Sequence, residues 1–134
     1  MMDKLLLTLL IASIAVGCSR KTVRTESGLQ YKILEKGSGK SVRSGDAVFI
    51  YETTSYRNGT VLYSNYNSTS PVKILIGGNQ ATQAVDEAIR GMKVGEVREL
   101  IAPHYLVKRT SYPSNVSPDS TLVIKIKLDK IEAK

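Results

Sequence analysis

Few residues in this chain of 134 have side chains suited to covalent or metal chemistry. The only histidine, His104, has no second histidine or neighbouring cysteine with which to bind a metal ion. Serine and aspartate are common, but none lies in a nucleophile motif. A lone histidine in a loop is more often a surface residue than a catalyst. The sequence therefore predicts no metal site and no bound cofactor.

The only cysteine, Cys18, lies in a context that predicts lipidation. Lys4 precedes a nearly pure apolar run, Leu5 to Val16, which is shorter than the roughly 20 residues of a membrane-spanning helix. A run of this length is typical of a secretory signal. It ends in Ala15-Val16-Gly17-Cys18, where small residues give a signal peptidase access to the backbone. We predict a signal peptide over residues 1–17 and a lipid on Cys18, the alternative being a small buried cysteine that ends an anchor.

Lipidation leaves no cysteine for a disulfide, so the mature chain must be held together by its core alone. Residues 18–27 are polar and show no periodicity, which predicts a flexible tether. Residues 28–134 are enough for one core and one domain.

The net charge of +7 is spread along the chain and forms no basic stripe. The residues concerned include Lys32, Lys36, Lys40, Arg43, Lys93, Lys125, Lys127 and Lys130. This distribution argues against a nucleic-acid partner and favours attraction to anionic phospholipid heads, the alternative being a solvated basic surface. We predict a monomer in the cell envelope, lipid-anchored to a bacterial membrane and facing the periplasm.

Alternation of apolar and polar residues predicts an antiparallel sheet of five or six strands. The segments that show it are 29–34, 48–51, 72–76, 97–101 and 122–128, and the turn at Asn58-Gly59 leads to a further strand at Val61 and Leu62. A long loop is expected from Pro103 to Pro118.

One short helix is predicted. The apolar residues that share a face at helical spacing are Ala81, Val85, Ala88 and Ile89. Asn79 is the expected N-cap and Gly91 the expected stop. Because the apolar face of a sheet must be covered, this helix is expected to pack against it.

Five short motifs spread over residues 28–131 extend this pattern. They are Gly28-Leu29-Gln30-Tyr31-Lys32-Ile33-Leu34 with Gly37-x-Gly39, Gly45-Asp46-x-Val48, Asn58-Gly59, Gly91-Met92-Lys93-Val94-Gly95-Glu96 and Pro118-x-Ser120-Thr121-Leu122-Val123. In this order and spacing they resemble the FKBP-type peptidyl-prolyl isomerases. The resemblance implies an α+β, FKBP-like fold, in which a twisted antiparallel sheet of five or six strands wraps around one short helix.

The resemblance also implies prolyl isomerisation, which needs no nucleophile, metal or cofactor. The barrier of roughly 18–20 kcal/mol arises because amide resonance is lost at the twisted transition state. A pocket helps by desolvating the imide and by binding the twisted form better than either planar form. In the family this pocket is a cleft between helix and sheet, lined by aromatic side chains.

In this chain most of the family's cleft positions lack an aromatic ring. The family's cleft positions, taken all together, are occupied in this chain by Glu52, Leu62, Tyr63, Val72, Ile74, Ala81, Thr82, Val85, Lys108, Val116 and Ile124. The family's second-strand tyrosine falls on Glu52, its pocket-floor tryptophan on Val85, and the loop tyrosine that holds the substrate carbonyl on Lys108. Each such truncation typically costs about 1 kcal/mol or more of binding. An aliphatic and weakly active cleft is expected, the alternative being that the aliphatic side chains fill the space and leave a shallower pocket.

Three features of this cleft have alternative interpretations. Glu52 and Tyr63 reverse the acid and phenol that the family pairs, so we predict a structural hydrogen bond between them, the alternative being a catalytic role for the pair. Lys108 either donates to a substrate carbonyl or points into water. The tyrosines expected at the rim form either a recognition surface or loop packing, and they are Tyr56, Tyr63, Tyr66, Tyr105 and Tyr112.

Three functions remain open. The first is a proline isomerase that assists the folding of envelope proteins and binds their proline-containing segments. The second is a binding module that kept the fold and lost most catalysis. The third is a structural accessory lipoprotein. Fold alone does not decide among them, because function lies in the site.

Overall fold

The computed structural model describes residues 20–134, so the predicted signal peptide and Cys18 lie outside the described residues. The strands are β1 Thr22–Arg24, β2 Gln30–Glu35, β3 Ser38–Ser41, β4 Ala47–Tyr56, β5 Val61–Ser64, β6 Val72–Leu75, β7 Lys93–Val94, β8 Val97–Ala102 and β9 Leu122–Ile131. The helices are α1, Gln83–Ile89, and a 3-10 turn, His104–Leu106. Within the described part, no helix has the length and apolarity to cross a membrane.

Seven strands form one antiparallel sheet in the order β1-β2-β8-β9-β4-β5, with β6 also paired to β4. The predicted α+β fold is confirmed, with more strands than the five or six expected. The extra strands are short and mostly exposed: β1, and the ribbon that β3 makes with β7. None carries a buried apolar face, so alternation of hydropathy could not have indicated them.

The prediction of a flexible tether over residues 18–27 is wrong for its second half. Residues 22–24 form β1, in which Val23 pairs with Tyr31 of β2. The Ser27 hydroxyl then lies 2.8 Å from each carboxylate oxygen of Glu87 in α1, and the Tyr105 hydroxyl donates to the Ser27 carbonyl at 3.1 Å. Backbone pairing and polar contacts order this segment.

The core lies between α1 and the concave face of the sheet. Strand β9 presents its alternate residues to the core, each at most 3% exposed, and they are Leu122, Ile124, Ile126 and Leu128. Helix α1 buries Ala84, Val85, Ala88 and Ile89 against this face. The pattern that predicted both elements therefore reflects real burial.

Helix α1 begins later than predicted, because Asn79 is not its N-cap. Asn79 adopts a φ of 57° and makes the turn that precedes the helix, a left-handed conformation that asparagine tolerates better than most residues. Thr82 is the N-cap, although its side chain makes no capping hydrogen bond.

A buried ion pair joins the C-terminal end of α1 to the sheet. Arg98 of β8 donates to the carboxylate of Glu96, and its Nη1 donates to the Ala88 carbonyl at 3.0 Å. The guanidinium also lies 4.6 Å from the centre of the Tyr31 ring. This cluster fixes the orientation of the helix relative to the sheet, and hence the shape of the space between them.

Candidate functional site

A cleft of about 830 Å³ opens between α1, the outer part of strands β4–β6 and the segment 108–116. The structure brings ten of the eleven predicted positions together around it, and they are Glu52, Leu62, Tyr63, Val72, Ile74, Ala81, Thr82, Val85, Lys108 and Val116. These positions come from three strands, helix α1, the turn before it and a loop, so the fold alone assembles them.

The eleventh predicted position, Ile124, does not line the cleft. It lies in β9 opposite Thr54 and Leu100 and is 2% exposed, as part of the core. Leu122, at the start of the same strand, contributes to the cleft wall instead.

The cleft walls are aliphatic with a polar rim. The other lining residues, which the sequence did not predict, are mostly polar. They are Thr54, Lys73, Asn79, Gln80, Arg109, Thr110, Ser111, Pro113, Asn115 and Leu122. Tyr63, 48% exposed, is the one residue with an aromatic ring among the lining residues. A peptide would therefore meet aliphatic surface at the base and hydrogen-bonding groups at the mouth.

Glu52 is the only carboxylate among the lining residues. The predicted hydrogen bond between Glu52 and Tyr63 is wrong: Oε1 of Glu52 accepts from the Thr54 hydroxyl at 3.0 Å, and Tyr63 sits opposite Thr54 in the ladder. Thr54 is two residues from Glu52, so both side chains project from the same face of β4. Burial raises the pKa of the Glu52 carboxyl, while the Thr54 hydroxyl and the charge of Arg109 oppose this effect.

Replacing Glu52 with glutamine is expected to stabilise the protein at neutral pH. The folded state holds the Glu52 proton more tightly than the unfolded chain does, since its pKa is raised. The contribution of Glu52 to the free energy of unfolding is therefore fully present below the ordinary glutamate pKa. It is lost as the pH rises through the raised pKa of the folded state. Glu52→Gln should match the parent protein in melting temperature in acid and exceed it at pH 7, as measured by circular dichroism.

The control for this comparison is Glu26→Gln, which removes an exposed carboxylate outside the cleft. Its difference from the parent protein should stay small at both pH values, because exposed charges contribute little to stability. If Glu52→Gln melts below the parent protein at pH 7, the carboxylate is stabilising and our account of its burial is wrong.

The outer wall of the cleft is fastened by Tyr56. Its hydroxyl donates to the Asn115 carbonyl at 2.9 Å and accepts from the Ser117 backbone N–H at 2.8 Å. The Asn115 side chain in turn donates to the Leu62 carbonyl at 3.2 Å. These contacts tie the long loop to β4 and β5, so the cleft is bounded by an ordered wall.

The other predicted rim tyrosines, apart from Tyr63, also have packing roles. Tyr66 lies on the convex face, 6.2 Å from Tyr51 between ring centres. The Tyr105 hydroxyl binds the Ser27 carbonyl, and the Tyr112 hydroxyl accepts from the Arg109 N–H at 3.3 Å. None of them lines the cleft, and their contacts favour the loop-packing interpretation over that of a recognition surface.

The polar groups of the cleft differ in how accessible they are. Lys108 is exposed at the mouth. The Thr82 hydroxyl oxygen is buried and has no hydrogen-bond partner among the described residues. An unpaired buried hydroxyl costs about 1–3 kcal/mol of folding free energy. Within residues 20–134, no group of three or more His, Cys, Asp or Glu side chains is placed to hold a metal ion.

The fold and the cleft define a class of protein, and comparison with known families agrees. The family model of the FKBP-type peptidyl-prolyl cis-trans isomerases matches residues 38–129. The chain therefore belongs to this family.

Similar curated proteins include members from fungi and bacteria. FK506-binding protein 2 of Yarrowia lipolytica is 30% identical over 113 residues, which cover 84% of this chain and 78% of that protein. Peptidyl-prolyl cis-trans isomerase Mip of Coxiella burnetii is 33% identical, covering 81% of this chain and 46% of that protein. A probable FKBP-type peptidyl-prolyl cis-trans isomerase of Haemophilus influenzae is 29% identical, and the match covers 92% of this chain and 50% of that protein. The chain thus spans about half the length of these two bacterial relatives.

Solved structures of the same fold include FkpA from Escherichia coli and AtFKBP13. Each superimposes with a TM-score of 0.73 at 22% identity. The match covers 83% of this chain and 51% of FkpA, and 84% of this chain and 99% of AtFKBP13. At this identity the likeness shows the fold alone.

Proposed function

We propose that this protein is a weakly active prolyl isomerase that acts on proline-containing segments of cell-envelope proteins while tethered by a lipid on Cys18. The observation that carries the proposal is the open cleft of about 830 Å³ at the family's substrate positions. Had the aliphatic replacements filled that space, no room for a pyrrolidine ring would remain.

The cleft supports isomerisation by binding alone. Its aliphatic walls, including Leu62, Val85 and Val116, exclude water from the imide, and a desolvated imide loses its resonance more readily. With one aromatic ring in the lining, fewer contacts hold the twisted imide, so turnover slower than that of an aromatic cleft is expected.

The envelope location rests on the N-terminal sequence. The apolar run that ends at Cys18 is the support for export and lipidation. A direct check is the Cys18→Ser variant, which should leave the membrane fraction of cells; continued membrane association would contradict the lipid anchor.

Filling the cleft is expected to abolish isomerisation. Ala81 lines the cleft and is partly exposed, so a tryptophan there can extend into the open space without entering the core. Ala81→Trp should lower kcat/KM by about tenfold or more, since a ring in the pocket excludes the substrate proline. The measurement is the rate of cis–trans exchange of a short proline peptide, followed by exchange NMR.

Val61→Trp is the matched control, because Val61 is 59% exposed and lies outside the cleft lining. It adds the same ring without blocking the pocket, and its kcat/KM should equal that of the parent protein. If the folded Ala81→Trp variant still accelerates cis–trans exchange of the peptide, catalysis does not take place in this cleft and the proposal is wrong.

The second candidate is a binding module without turnover. The specific observation in its favour is the polar rim, which joins Thr110, Ser111 and Asn115 to the aliphatic base. Peptide binding that Ala81→Trp abolishes, without acceleration of exchange by the parent protein, would favour this candidate over the isomerase.

A further inference from the structure

We infer that the cleft selects prolines flanked by an acidic residue, and that Lys108 and Arg109 are the specificity-determining residues. This inference rests on the proposed function of the site, since it names the substrate class that the cleft prefers. It follows from the distribution of charge around the cleft.

Both cations project from the segment that forms the outer wall. Lys108 and Arg109 are exposed and both line the cleft. The ion pairs among residues 20–134 use other cations, namely Lys73, Arg90, Arg98 and Lys134. Within that part of the chain, no carboxylate lies within ion-pair distance of Lys108 or Arg109, and both charges remain available to a ligand.

The third basic residue of the lining, Lys73, makes no such contribution. Its ammonium binds Glu132 at 3.0 Å and lies 5.8 Å from the centre of the Phe49 ring. Lys73 pairs with Phe49 across the β4–β6 ladder, whereas the neighbouring Ile74 is buried in the core. Since adjacent residues of a strand face opposite sides, the ammonium of Lys73 is directed to the convex face.

The one acidic residue in the lining competes poorly for the two cations. The Glu52 carboxylate is held by the Thr54 hydroxyl at the base of the cleft and lies beyond ion-pair distance of Arg109. Burial raises the pKa of the Glu52 carboxyl and so disfavours its charged form. The mouth of the cleft is therefore electropositive, and a carboxylate carried by the peptide is the complementary group.

The two cations stand on an ordered wall. The backbone N–H of Arg109 donates to the Tyr112 hydroxyl, and the following part of the loop is fastened through Tyr56 and Asn115. A fixed backbone lowers the entropy lost when the side chains engage a ligand. Two exposed ion pairs of ordinary strength correspond to a preference of about fivefold.

A peptide series tests the inference. Labelled peptides that carry glutamate, glutamine or lysine on either side of one proline are titrated with the purified chain, and binding is read by fluorescence anisotropy at low and high salt. We expect a glutamate peptide to bind about fivefold more tightly than its glutamine counterpart, with the lysine peptide weakest. The preference should shrink at high salt, because exposed ion pairs are screened.

The double variant Lys108→Gln/Arg109→Gln should lose this preference, so that it binds the glutamate and glutamine peptides equally. Lys36→Gln/Lys130→Gln removes the same charge from exposed positions outside the cleft lining and should keep the preference. Equal binding of glutamate and glutamine peptides, or equal loss in both double variants, overturns the inference.

The same samples separate this inference from the proposed function. Exchange NMR on each peptide reports turnover independently of affinity. Charge-selective binding without acceleration of exchange removes the isomerase proposal and leaves the specificity of the cleft standing. Acceleration without charge selectivity removes the specificity and leaves the isomerase.

Discussion

Replacing Arg98 with methionine is expected to lower the free energy of unfolding by about 3–5 kcal/mol, because it leaves the buried charge of Glu96 without its partner. Both side chains are less than 10% exposed, at 8% and 7%, so water cannot take the place of the guanidinium. The variant also loses the hydrogen bond to the Ala88 carbonyl at the end of α1 and the contact with Tyr31. Urea denaturation followed by circular dichroism measures the loss.

Two controls assign the loss to the unpaired charge. The double variant Glu96→Gln/Arg98→Met removes both charges and should recover part of the stability, since no ion then remains buried alone. Glu132→Ala breaks the exposed ion pair with Lys73 and should change stability by less than about 1 kcal/mol. An Arg98→Met protein as stable as Glu132→Ala would show that the buried pair contributes little to holding the helix.

Replacing Gly37 with alanine should lower the free energy of unfolding by about 3 kcal/mol, because there is no space for a β-carbon. A β-carbon at Gly37 would lie 2.5 Å from the Lys93 carbonyl oxygen, 2.6 Å from that of Val94 and 2.8 Å from the Glu96 nitrogen. All three are backbone atoms of the turn around β7, and they cannot move without disturbing the β3–β7 ribbon. Thermal and urea denaturation report the change.

Gly39→Ala distinguishes this clash from backbone strain. Gly39 has a φ of 86°, and no atom lies within 4 Å of the position that its β-carbon would take. Its substitution should therefore cost about 1 kcal/mol through conformation alone. If the two alanine variants lose the same stability, close packing at Gly37 is not what requires the glycine.

Sequence patterns predict the parts of this fold that have one buried and one exposed face. Strand β9 and helix α1 were recognisable because alternate residues, or residues at helical spacing, enter the core. Strand β1 was not, because its residues are exposed and it is held by backbone hydrogen bonds to β2. The start of α1 was misplaced because Asn79, a good N-cap in general, is used here for a left-handed turn.

The resemblance to a family predicts which residues form the base of the cleft, but it does not predict which residues form the rim. Positions on strands and helix, such as Leu62 and Val85, keep their place when the side chain changes, because the fold fixes the backbone. Arg109 and Asn115 belong to a long loop whose path depends on hydrogen bonds to Tyr56 and Leu62. Such contacts between residues distant in the chain leave no local pattern in the sequence.

The short strand β1 bears on where such a protein could work. If Cys18 carries a lipid, three residues separate it from Thr22, and four peptide steps reach at most about 14 Å. The cleft lies beyond β4, four strands from β1 and thus about 19 Å away across the sheet. Such a short tether would keep β1 within about 14 Å of the membrane surface. A longer spacer after Cys18 would then extend the distance from the membrane that the domain can reach.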